Sequence, residues 1–199
     1  MLPAQKFITF DQYLAIEAET GIKHEYFEGE VFAMAGGTPN HSALQAQLTG
    51  QLYAQLRGRP CRQFTADLRV GVEVAGLYTY PDLSVVCGGA QFDEHNTLLN
   101  PTLLAEVLSP STEAYDRGAK FSLYQQLPSL RQYLLISQDQ RMVHLYTRSE
   151  EGRWTFEEFT QPEASVPLTS IGCTLNVGEL YEQVELPPRA LHPSLQRMG

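Results

Sequence analysis

The sequence predicts a single α/β domain built on a mixed β-sheet flanked by helices. Three observations predict it. Helical and strand patterns interleave early in the chain, whereas strands dominate later, which argues against a doubly wound parallel sheet. At 199 residues the chain can bury one sizeable core but is short for two full domains. With 43% hydrophobic and 19% charged residues, its composition is that of a folded globular protein rather than a disordered one. The expected domain runs over 1–186, with an additional antiparallel strand region toward the C-terminus and a mobile tail over 187–199.

Each element has its own signal. Thr9-Phe10-Asp11-Gln12 has the form of a capping box, and Phe10, Tyr13 and Leu14 follow helical spacing, so a first helix reaches about Glu19 before Gly21 ends it. His24 to Ala35 alternates as a hairpin that turns near Glu28-Gly29. After the loop Gly36–His41, Leu44, Leu48, Leu52 and Leu56 recur at i+4 and give the longest helix an apolar stripe, with Gly58 as its stop. Cys61 to Val74 supplies one or two strands. Tyr80 to Cys87 and Leu103 to Leu108 read as buried strands. The helix that follows carries Asp116, Lys120 and Tyr124 on one face and stops at Pro128. Gln132–Ser137, Met142–Arg148 and Trp154–Thr160 form the later strands, and Val177–Gln183 a short terminal helix. Pro187-Pro188 opens the tail.

Composition narrows the function classes. The net charge of −9 argues against non-specific, high-affinity nucleic-acid binding, which depends on many Lys/Arg–phosphate contacts. Arg57, Arg59, Arg62 and Arg69 nevertheless cluster, as either a solvated surface or a phosphate-contacting rim. No apolar run approaches the ~20 residues of a membrane span, and the N-terminus lacks a secretory signal pattern, so a cytoplasmic, non-membrane protein is expected. Cys61, Cys87 and Cys173 are odd in number and form no CxxC pair, so three buried, inert thiols are expected and neither a zinc site nor a disulfide framework.

The chemistry-bearing residues are Glu25, Asp82, Glu106 and Lys120. Asp82 and Glu106 each interrupt an apolar strand, and a carboxylate there is costly unless it is paired or holds a cation. A hard cation such as Mg²⁺ needs only one or two protein carboxylates and keeps several waters. Phosphodiester hydrolysis needs a positioned water and stabilised phosphate charge, which two acids, a metal and Lys120 can supply together. The Val107 carbonyl could add a ligand.

Here the chain resembles a known family. Lys23-His24-Glu25-Tyr26-Phe27-Glu28-Gly29-Glu30, Asn40-His41, Tyr80-Pro81-Asp82-Leu83-Ser84-Val85-Val86, Glu106-Val107-Leu108-Ser109-Pro110-Ser111-Thr112 and Asp116-Arg117-Gly118-Ala119-Lys120 with Tyr124 are similar to the Uma-type family of restriction-endonuclease-like proteins, within the PD-(D/E)xK nuclease superfamily. The similarity runs from about Phe7 to about Arg148. It implies a restriction-endonuclease-like sheet, a homodimer, and a Mg²⁺-dependent endonuclease, with Mn²⁺ as substitute and DNA as the substrate expected. It implies Asp82 and Glu106 as metal ligands, Glu25 as a further acid of the metal site, and Lys120 as the catalytic cation. The superfamily lysine two residues after the acid is absent, since that position is Leu108; the Uma-type pattern draws it from the following helix, at Lys120. His41, Arg117, Tyr124 and Asp116 are the expected phosphate-contacting or supporting residues.

Other readings of the same residues stay open at this point. Asp82 could cap a strand end, Glu106 and Lys120 could be a structural ion pair, Glu25 an exposed hairpin acid, and His41 a helix cap. The whole could then be a non-catalytic module that binds nucleic acid or a partner protein. A hydrolase of another phosphate compound is the third reading.

Overall fold

The computed structural model describes residues 7–34 and 36–187. Ala35 and, beyond Pro187, the expected tail lie outside the described residues.

The centre is a six-stranded mixed sheet in the order β10-β9-β8-β7-β6-β3. Its strands are β3 (Cys61–Thr65), β6 (Leu83–Cys87), β7 (Leu103–Leu108), β8 (Gln132–Ser137), β9 (Val143–Arg148) and β10 (Trp154–Phe159). β7 and β8 are parallel, and every other pair in this sheet is antiparallel. A four-stranded antiparallel sheet has the order β2-β1-β5-β4, from β1 (His24–Phe27), β2 (Glu30–Ala33), β4 (Val70–Val72) and β5 (Leu77–Thr79). A two-stranded ribbon, β11 (Ser165–Leu168) with β12 (Cys173–Asn176), follows near the C-terminus. The mixed sheet with added antiparallel strands is therefore as expected. β5 and the β11–β12 ribbon, too short to show a period, were not.

The helices form where their caps place them. Thr9 closes a capping box with Gln12 and starts α1 (Phe10–Thr20); Gly21 ends it at φ 65°, the left-handed conformation that glycine enters freely. The β1–β2 turn puts Glu28 and Gly29 at φ 46° and 89°, the signature of a tight hairpin. Thr38 caps α2 (Pro39–Leu56), and Pro39 fills a first-turn position that needs no N–H. Leu44, Leu48, Leu52 and Leu56 are buried on one face of the central sheet against Leu83, Val85, Leu103, Ala105 and Val107. On the other face, Leu104, Leu108, Tyr133 and Leu135 meet Phe121, Tyr124, Leu127 and Leu130. Alternation along β7 thus feeds two cores, which is why this strand is apolar throughout except at Glu106.

The cysteines correct one expectation. Cys61 and Cys87 stand directly opposite each other on β3 and β6 and form a disulfide, leaving Cys173 as the free, buried thiol. Their separation of 26 residues conceals the pairing, which only the strand register creates. Among the described residues, no helix is long and apolar enough to cross a membrane.

Candidate active site

The site is made by one end of a strand pair. β6 and β7 run antiparallel with Leu83 opposite Ala105, so Asp82, just before β6, and Glu106, just after Ala105, meet at the same end. Pro81 has no N–H for a ladder, and Asp82 lies in a bend rather than within the expected strand. The Val107 N–H donates to Asp82 Oδ2 at 2.6 Å, and the Asp82 N–H reaches Glu106 Oε2 at 3.4 Å. From α2, Gln45 Nε2 donates to Asp82 Oδ1 at 2.6 Å, and His41 Nε2 lies 3.2 Å from Oδ2.

The cation comes from the helical stretch after β7, formed by α3 (Glu113–Tyr115), a π-helical turn (Asp116–Lys120) and α4 (Phe121–Tyr124). Turns of this kind are rare and concentrate at functional sites. This one buries both Asp116 and Lys120, at 3% and 5% exposure. Lys120 Nζ sits 2.9 Å from Glu106 Oε1, 3.3 Å from Asp116 Oδ1 and 3.7 Å from Glu25 Oε2. Tyr124 donates to the same Glu106 Oε1 at 2.9 Å. Glu25, on β1, has both oxygens engaged: Thr79 donates to Oε2 and Tyr115 to Oε1, each at 2.6 Å.

Burial pushes the Glu106 carboxyl up to about 8, with Lys120 pulling it down and Asp116 and Asp82 adding to the rise. For Lys120, burial alone would favour the neutral amine; Glu106, Asp116 and Glu25 outweigh it and raise its pKa, so the ammonium stays charged. The hydrogen bond to Asp82 raises His41 against the opposing effect of burial. Burial also raises Tyr115 and Tyr124, which remain neutral donors.

Among the described residues, no three His, Cys, Asp or Glu side chains converge as a ready-made metal cage. The donors fit a hard cation of the Mg²⁺ kind nonetheless, since two carboxylates suffice for it. Among the described residues, Glu106 Oε2 has only the long contact to the Asp82 N–H, which leaves lone pairs on that oxygen. Asp82 retains lone pairs beyond its donors.

The structure thus brings Glu25, His41, Asp82, Glu106, Asp116, Lys120 and Tyr124 together. It does not bring Arg117 there: its Nε donates to Glu113 at 2.7 Å, and its Nη1 meets His144 Nδ1. The arginine cluster also divides. Arg69 is half-buried in an ion pair with Glu17 at 3.0 Å, and Arg59 donates to the Gly172 carbonyl. Gln45, Thr79 and Tyr115 escaped the sequence reading. Gln45 stands one turn after His41 on α2, a spacing that could have marked it.

The strand pair therefore presents two acids to a buried lysine within a helix-flanked mixed sheet. The structure matches the crystal structure of a putative nuclease of the DUF820 family from Anabaena variabilis with a TM-score of 0.72, at 24% identity, over 88% of this chain and 98% of that one. That likeness shows the fold. A family model described as "Uma2: Putative restriction endonuclease" matches residues 10–178. The chain belongs to the Uma2 family. It is similar to two uncharacterized proteins of Synechocystis, slr1290 and sll1609. The first is 38% identical over 86% of this chain and 90% of the relative, the second 31% over 81% and 92%.

Proposed function

We propose that this chain hydrolyses nucleic-acid phosphodiester bonds, DNA first among them, in a Mg²⁺-dependent reaction for which Mn²⁺ can substitute. The observation that carries the reading is the 2.9 Å approach of Lys120 to Glu106. A lysine borne by a separate helical segment stands beside the acid, which supports the reading although the residue two after the acid is Leu108. What matters is where the ammonium stands, not which element bears it.

Asp82 and Glu106 would hold the cation, with the Val107 carbonyl as a further donor. When bound, Mg²⁺ supplies Lewis-acid stabilisation of charge on the phosphate. Lys120 cannot act as a base while its ammonium is held charged; it orients the attacking water and offsets charge developing beside it. Glu25 and Asp116 aim that ammonium. With Thr79 and Tyr115 on its oxygens, Glu25 assists through Lys120 before it assists as a ligand. Gln45 and the Val107 N–H fix the plane of the Asp82 carboxylate, and His41 faces it from the first turn of α2. A homodimer goes with this reading, because a two-fold axis would offer one such cluster to each strand of a duplex.

The non-catalytic module remains the second reading, favoured by the net charge of −9. A cleavage screen over DNA and RNA with Mg²⁺ separates the two. The expected result is cleavage by the wild type and none by Asp82→Ala or Glu106→Ala, with both variants folded. Undiminished cleavage by both purified variants would sink the assignment.

A further inference from the structure

β1 pairs with β2, and the register sets Glu25 directly opposite Phe32. Opposite residues of an antiparallel pair project from one face, with their Cβ atoms roughly 5 Å apart. The Glu25 carboxylate lies 3.7 Å from Lys120 Nζ, so Phe32 projects from the face that bears the carboxylate cluster. The neighbouring Tyr26 points to the other face, where it stacks on Tyr13 at 5.2 Å and meets Phe10 edge-on at 5.8 Å. α1 therefore covers the side away from Phe32.

β2 ends its sheet, so among the described residues no strand flanks Phe32 on its outer side. The side chain is 48% exposed and makes no ring contact among the described residues. A single exposed phenylalanine is ordinary on a protein surface. Its place is what distinguishes this one. It stands one strand away from an acid that is 8% exposed and aimed at Lys120. Glu25 is itself held from its other flank, where Thr79 of β5 donates to Oε2 at 2.6 Å. The aromatic ring thus sits at the open margin of a fixed polar cluster.

Charge narrows what such a ring would meet. The chain carries a net charge of −9, and Arg117, next to Asp116 in sequence, is claimed by Glu113 and His144. Holding an intact duplex draws on many Lys/Arg–phosphate contacts. An unpaired nucleotide needs fewer, because its base can stack on an aromatic ring whatever the base is. A base stands one sugar away from its phosphate, and Phe32 stands one strand away from the acids. We infer that Phe32 stacks on the base beside the scissile phosphate, so that the substrate is a single strand or a duplex opened at that nucleotide. The inference rests on the hydrolytic reading for the place of the phosphate and deepens it.

The test is a fluorescence titration of the purified full chain in Mg²⁺ with three DNA probes: a short adenine-rich single strand, the same strand made abasic, and its blunt duplex. The Phe32→Trp variant reports stacking directly, since a base stacked on indole quenches its emission. Trp154 is the one native tryptophan, and titration of the wild type subtracts its signal. Saturable quenching by the single strand is expected, with little from the abasic strand or the blunt duplex. Phe32→Ala should keep the wild-type Tm, because the side chain is half exposed, and bind the single strand about tenfold more weakly by anisotropy. Quenching without cleavage by the wild type would support the stacking contact and sink hydrolysis. Cleavage that Phe32→Ala leaves undiminished, with no base-dependent quenching, would overturn the stacking contact and leave hydrolysis standing. Equal quenching by the abasic strand, or no binding of any probe, also overturns the inference.

Discussion

Lys120 is the residue on which the cluster turns. Its ammonium stands among Glu106, Asp116 and Glu25 with almost no exposure to water. A buried ion pair is a weak source of net stability, but removing one partner is costly because the other charges stay behind. Lys120→Met should therefore abolish cleavage and lower unfolding stability by about 3–5 kcal/mol in urea titrations. Stability unchanged in that variant would show that the lysine does not hold the acids. Sequence singled out Asp82 and Glu106 because a charged residue in an apolar run is conspicuous, and Lys120 through its place on the helix after the second strand and the family resemblance. Gln45, Thr79 and Tyr115 were not legible: each is an ordinary polar residue whose importance comes from a carboxylate 37, 54 or 90 positions away. Arg117 was a reasonable phosphate contact from its place beside Asp116, yet its neighbours on β9 and α3 claim it.

At the scale of elements, the helical stretch bearing Lys120 is tied to the sheet through Arg117, His144 and Glu158. His144 Nε2 meets Glu158 at 2.8 Å while Nδ1 faces Arg117, an arrangement that suits a neutral ring. Burial lowers the His144 pKa, with Arg117 adding to the fall and Glu158 opposing it. The unfolded chain then takes up the proton first. Stability from this contact is present above 6.5, the ordinary histidine value, and is lost as pH falls from there through the folded value. Urea unfolding across that window should show the loss, and His144→Gln should flatten it; an identical slope in both proteins would remove His144 from the account.

The disulfide acts on a different element, joining edge strand β3 to β6. Reduction, or Cys61→Ser, should cost about 3 kcal/mol for a loop of this length. Equal unfolding midpoints with and without reductant would contradict that. The strands and long helices were readable because burial imposes a period. The bond was not, since pairing is a property of register and not of either segment alone.

For the molecule as a whole, the design is a sheet with two cores and a polar seam at one end. α2 covers one face and the Lys120 stretch the other, and the seam opens where β6 begins and β7 ends. The two layers are therefore what set Gln45 and His41 on one side of Asp82 and Lys120 and Tyr124 beside Glu106. Interleaved helices and strands in the sequence made the mixed sheet legible. Its division into three sheets was not, because β4, β5, β11 and β12 are three or four residues each and carry no period of their own.

The central claim is that Asp82 and Glu106 hold a divalent cation. It is tested most directly by calorimetric titration of Mg²⁺, and then Mn²⁺, into the wild type and the Asp82→Ala/Glu106→Ala double variant, both checked for folding. The account predicts saturable binding in the wild type that disappears in the variant. Equal binding by the two proteins, or none by the wild type at concentrations well above ordinary cellular Mg²⁺, would contradict it.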